Sequence, residues 1–255
     1  MDLALFEQQA VSLFLHFVRT GAFLFVVPFF GRQRDTFFLR LVLSVALGSM
    51  MWWNGGQSVE LPRSLIEMGF LVMTESFLGL ALGFALSMLT SILVSAGEII
   101  SSEMGFAMAR AIDPDSGGNS TVVAQLFSVF GFLLVLQLDI HHDALRILSH
   151  TFTACPVGEP FSIEPMWLGI QTLVGDSVVC ALQYAFPVLA VMMLLTVGLV
   201  LFGRAVPNVN LMEFSFTVRV LVALVAAIWF LSSGAPFLER TFESFMLTTK
   251  SMFPA

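Results

Sequence analysis

The chain has 255 residues, of which 57% are apolar and only 11% charged, with a mean hydropathy of +0.91. A soluble domain gives about a quarter of its residues to charge, so this much apolar surface argues against a single soluble core and for an integral membrane protein or part of a membrane-embedded assembly. A formal charge of −7, with Lys250 the single lysine, argues against nucleic acid, which calls for basic patches.

In chain order, the opening MDLALFEQQAVSLF does not read as a cleaved signal, because Asp2 and Glu7 precede the apolar run and the first basic residue is Arg19. Helical apolar runs follow at 10–30, 37–53, 65–96, 121–140, 166–203 and 214–235. About 20 apolar residues cross a bilayer. The second run is barely sufficient, while the third and fifth exceed one simple crossing. Arg32, Arg34 and Arg40 between the first two runs favour the cytoplasmic side. The connections at 54–64, 97–120, 141–165 and 203–213 are too short to be domains. The expectation is one all-α domain over 1–255.

Within the third run, Gly79, Gly83, Ser87, Ser91 and Ser95 fall at successive i+4 positions and lead into Gly97 and Glu98. Such a stripe of small side chains lets another helix come close; the alternative is a lipid-facing surface that is merely small. Glu67 and Glu75 lie on or near the same helix. An ionised carboxylate in lipid is costly, and no Lys or Arg follows Glu75 at helical spacing, so its partner is elsewhere or the segment is not in lipid.

The segment GEIISSEMGFAMARAIDPDSGGNS (97–120) is predicted to be helical from Glu98 to Ala111 and broken by Pro114 and Gly117-Gly118. Met104 and Met108 stand one turn apart, and methionine closes against varied surfaces. A Met-bearing, glycine-hinged loop suits lining or obstructing a channel, against the plainer reading of a solvated connection.

Asp139-Ile140-His141-His142-Asp143 is the one cluster of metal-ligand types. Neighbouring histidines leave a helix or strand on different sides, so both bind one ion only with a special turn; His16 and His150 stand alone, and the cluster reads as a polar turn with no metal. Cys155 and Cys180 define no disulfide framework and read as packed thiols. No GxSxG, no base beside Cys155 and no GxxxxGK[ST] occur, so neither an enzyme nor a bound cofactor is expected. Pro187, midway along 166–203, divides that run into two helical pieces at a kink.

Gly97-Glu98, Met104-Gly105, Ala109 and Asp113-Pro114 together resemble the FliR family of the flagellar type III export apparatus. Three further blocks extend the resemblance over nearly the whole chain: RTGAFLFVVPFFGR (19–32) with Pro28, LDIHHDALRILSHTFTACPVG (138–158), and Ala185-Phe186-Pro187 followed by GRAVPNVN (203–210). The chain departs from the family pattern at Ser101 and Asp139, where Gly is common, and at Glu103 and Asn208, where Gln is.

The resemblance implies a gating subunit of an export core built of helical hairpins around a pore. Its partners would be FliP and FliQ, with FlhB and FlhA alongside, and its cargo unfolded flagellar proteins. The location would be the bacterial inner membrane at the flagellar basal body. The family's plug matches roughly 105–121 here. Met104, Phe106 and Met108 would form the seal, Gly105, Gly117 and Gly118 the hinges, and Arg110, Asp113 and Pro114 the rest of the loop. Arg204, Pro207 and Asn210 would cap and turn a helix junction. The competing class is a small-solute or metal-ion membrane transporter using His141, His142, Glu98 and Asp139. It should have discontinuous helices in matched halves, and no repeat is visible. An intramembrane hydrolase lacks a nucleophile–base pair.

Overall fold

The computed structural model describes residues 3–27, 37–55, 59, 61–105, 122–159, 161–205, 211–233 and 235–253. All regular structure among them is helical: α1 Leu3–Val26, α2 Phe37–Gly55, α3 Leu65–Glu103, α4 Val122–Gln137, α5 Ile140–Ala154, α6 Ile163–Ala205, α7 Leu211–Ser233 and α8 Ala235–Ser251. Four of these, α1, α2, α3 and α6, are long and apolar enough to cross a membrane, and α4 with α5 adds a fifth if the broken pair is one span. The protein is an all-α membrane protein.

The chain divides into two compact units. The first comprises 1–89, 135–174 and 244–255; the second comprises 90–134 and 175–243.

In the first unit α1 buries Ser12, Leu15, His16, Arg19, Thr20, Phe23 and Leu24, one face of a helix repeating every three to four residues. Four of those seven are polar, which is unusual for so apolar a helix. Glu75, Leu78, Leu82 and Leu86 of α3 are buried at helical spacing too, and α3 meets α1 at Glu75, Gly79 and Gly83. Gly48 brings α2 close to α1, where a β-carbon would meet the ring of Phe17 and, at 3.0 Å, the hydroxyl of Thr20. The amphipathic α5 buries Ile140, Ala144, Ile147, Leu148 and Thr151. In the second unit the inward face of α3 continues through Ile92, Leu93, Ala96, Ile100 and Met104. Gly97 admits α4 so closely that a β-carbon would sit 2.9 Å from both Ala124 Cα and Phe127 Cβ.

Three boundaries differ from the sequence reading. The helix expected from Glu98 to Ala111 is the end of α3 as far as Glu103, followed by a turn at Met104-Gly105 in which Gly105 takes φ +92°, a conformation open to glycine; 106–111 lie outside the described residues. The run 166–203 is a single helix, α6, with Pro187 inside it rather than two pieces. Proline removes one backbone bond, to Gln183, and a long apolar helix keeps its hydrogen bonding on either side of that gap. The stretch 141–165 is mostly α5, which apolar-run reading misses because half its surface is polar.

Candidate functional site

The first unit is organised around a buried ion pair. Arg19 of α1 and Glu75 of α3 are 1% and 2% exposed, and Arg19 Nε donates to Glu75 Oε2 at 2.6 Å. Arg19 Nη1 donates to the carbonyls of Thr151 and Cys155, both at 2.9 Å. These lie at the C-terminal end of α5, where helix carbonyls are left over and the partial charge is negative, so a guanidinium fits there. Glu75 Oε1 accepts the Gly158 N–H at 3.2 Å. Gly158 has φ +86°, and a β-carbon there would meet Val59 at 2.9 Å, so both conformation and space call for glycine. The guanidinium carbon sits 4.5 Å from the Phe152 ring centroid, and His16 stacks on the same ring at 4.7 Å while its Nδ1–H donates to Ser12 O at 2.7 Å. Within this group Arg19 Nη2 is the charged atom left without a hydrogen-bond partner among the described residues.

Chemically this hub is a neutralised clamp. It ties α1, α3, the end of α5 and the 155–158 turn together. Cys155 is half-buried, and burial pushes its thiol above the ordinary value. The sequence reading located Glu75 as needing a partner but missed Arg19, which lies 56 residues away. The available signal was charge balance: each of two apolar helices carries a buried-position ion of opposite sign.

The small-residue stripe divides along its length. Gly79 and Gly83 are buried against α1: a β-carbon on Gly79 would strike the Arg19 carbonyl oxygen, and one on Gly83 would lie 2.9 Å from the Phe23 carbonyl oxygen. The close approach is thus to a helix of the same chain. Ser87 and Ser91 are half-buried and Ser95 is exposed. Glu98 is half-buried within α3, and Arg204 is exposed in the last turn of α6. Met104 is fully buried and Gly105 forms the turn beyond α3. Phe106, Met108, Arg110, Asp113, Pro114, Gly117, Gly118, Pro207 and Asn210 lie outside the described residues. Ser101, where the family pattern favours glycine, is fully buried, and its hydroxyl has no partner among the described residues.

At the start of α5 the chain makes a left-handed turn. Asp139 adopts φ 54°, the only positive-φ non-glycine position among the described residues. Glycine is the residue that takes such a conformation without strain. The rings of His141 and His142 lie with centroids 4.1 Å apart instead of diverging.

Comparison with known proteins decides what carries these features. The model of the bacterial export proteins, family 1, matches residues 10–245, which cross both compact units. This chain belongs to that family. Similar family members include the flagellar biosynthetic protein FliR of Escherichia coli, 30% identical over 68% of this chain and 67% of its own length. FliR of Caulobacter vibrioides is 27% identical over 82% and 84%. The surface presentation of antigens protein SpaR of Shigella flexneri is 26% identical over 82% and 80%. As a FliR-family protein the chain is a membrane component of the flagellar/type III export apparatus, which does not favour the transporter class; none of these descriptions names an enzyme.

Proposed function

We propose that this chain is the gating subunit of a flagellar type III export core in the bacterial inner membrane, at the basal body. It acts as one functional domain without catalysis and assembles with FliP and FliQ beside FlhB and FlhA. It passes unfolded flagellar proteins.

The observation that carries this reading is the open surface of α6. Only 17% of its most apolar window is buried within the chain, although the helix runs for 43 residues. At about 1.5 Å per residue it is about 65 Å long, roughly twice the ~30 Å hydrocarbon core of a bilayer. Lipid can cover no more than part of such a helix when it stands upright. Exposed Phe186, Met193, Leu194, Val197 and Leu201 continue along it, and other protein chains are the natural cover for what lipid does not reach.

The test is expression with the neighbouring subunits, gentle detergent purification and mass spectrometry of the intact particle. The expected result is a hetero-oligomer containing FliP and FliQ. A chain recovered alone or as a simple homodimer overturns the proposal.

The plug is a finer part of the same reading. Support comes from the glycine turn that ends α3 at Gly105, directly ahead of 106–121, and from the breaker pattern within that segment. Deleting 110–119 should make the assembled gate leak ions or small solutes. Unchanged permeability of the assembled variant counts against a plug.

A further inference from the structure

The break between α4 and α5 gathers donors that gating does not use. The carbonyl of Asp139 accepts the His142 N–H at 2.9 Å and the Asp143 N–H at 3.3 Å, while its own N–H donates to Leu136 O at 3.3 Å. This fixes Asp139 in the left-handed conformation at the head of α5. Consecutive helical residues otherwise project about 100° apart. Here His142 Nδ1 is 3.2 Å from Asp139 Oδ1, and one ligand atom from each of Asp139, His141 and His142 lies within 4.8 Å of the others. His141 Nδ1 is buried with no hydrogen-bond partner among the described residues, a polar atom of the cluster whose need is unmet.

We propose that Asp139, His141 and His142 form a binding site for one divalent transition-metal ion of the zinc type, which clamps the first turn of α5. Two imidazoles and a carboxylate are the donor set that such borderline ions take. With bonds of about 2.0–2.2 Å the ligand atoms stand roughly 3–4 Å apart. Rotation of the exposed Asp139 and His142 side chains supplies the remaining closure. The N-terminal end of a helix disfavours a cation. Two carboxylates at that end, Asp139 and Asp143, oppose this effect, although Asp143 also pairs with Arg146 at 2.7 Å. Three protein donors leave a further coordination position for water.

The untagged full-length chain, purified with its assembly partners, is titrated with cobalt(II) and then zinc. The expected result is a visible absorption band that saturates at one ion for each copy of this chain and is displaced by zinc. A His141→Ala/His142→Ala double variant should lose the band while keeping its helical circular dichroism. His150→Ala should keep it, and Asp139→Asn, which tolerates the same backbone, should weaken it. Absence of saturable binding, or binding that persists in the double variant, overturns the site. The clamp is read separately by hydrogen exchange. Zinc should slow exchange across 138–143 in the parent and leave the double variant unchanged; equal exchange with and without zinc in the parent overturns it.

Discussion

Helices α3 and α6 are the two longest of the chain and both are strongly apolar, yet 56% of the most apolar window of α3 is buried and only 17% of that of α6. Their glycines show part of the difference. Gly79, Gly83 and Gly97 of α3 let the backbones of α1 and α4 approach to within contact of where a β-carbon would be, and Gly169 near the start of α6 does the same for Met252, whereas Gly175 and Gly198 further along α6 have nothing within 4 Å. Hydropathy reports how strongly a helix avoids water. It does not say whether the avoidance is met by the same chain, by lipid or by another chain. In α3 a stripe of small residues and one ionised group answer that question internally. In α6 the answer lies outside the chain.

The largest effect that would break this contrast is at the hub of α3. Arg19→Ala or Glu75→Ala leaves an uncompensated buried charge and should cost about 3–5 kcal/mol, read as a lower unfolding midpoint of the purified chain. Replacing both partners with apolar residues, Arg19→Met with Glu75→Leu, should recover much of the loss, as buried pairs often tolerate such exchange. A single variant as stable as the parent removes the pair from its central place.

A middle-sized effect separates the glycines. Gly79→Leu forces a side chain into the backbone of α1 and should destabilise by about 1–3 kcal/mol or more. Gly198→Ala in α6 should leave the isolated chain unchanged or stabilise it by about 0.5–1 kcal/mol, since alanine is the better helix former. Equal responses at the two positions would erase the comparison. Gly83→Leu belongs with Gly79, because its clash is with α1 of the same chain. Impaired assembly in that variant would report a misfolded subunit.

The smallest effect is at Cys155, beside the carbonyl that Arg19 holds. Its raised pKa leaves less thiolate at neutral pH, so alkylation should be slower than for a free cysteine and should accelerate only as pH climbs past the ordinary thiol range. A rate equal to that of a free thiol at neutral pH contradicts its half-buried setting.

The long apolar helices were legible because membrane spans announce themselves by length and composition. Helices α5 and α8 were not, since both alternate buried apolar and exposed polar positions and so break an apolar run. Glu239, Arg240 and Glu243 of α8 are exposed, while Leu238, Phe242 and Phe245 are buried. Glu75 announced a need for a partner, but nothing local pointed to Arg19, because ion pairs between distant helices follow no spacing rule. The His–His pair was misleading for the opposite reason. Spacing alone predicts divergence of the side-chain directions, but the two rings lean together at the first turn of α5, and the left-handed Asp139 adds its carboxylate beside them. The family blocks were legible as ordered short motifs, whereas the roles given to individual plug residues rest on 106–121, outside the described positions.

The clamp around Arg19 can close only late in synthesis. Its guanidinium leaves the ribosome with α1, but Glu75 emerges 56 residues later and the carbonyl of Cys155 136 residues later. Until then a lone cation at the centre of a nascent span opposes insertion by about 2.5–3.5 kcal/mol. The translocon must therefore hold α1 at its lateral exit, or let it wait at the interface, until the third helix arrives to neutralise it.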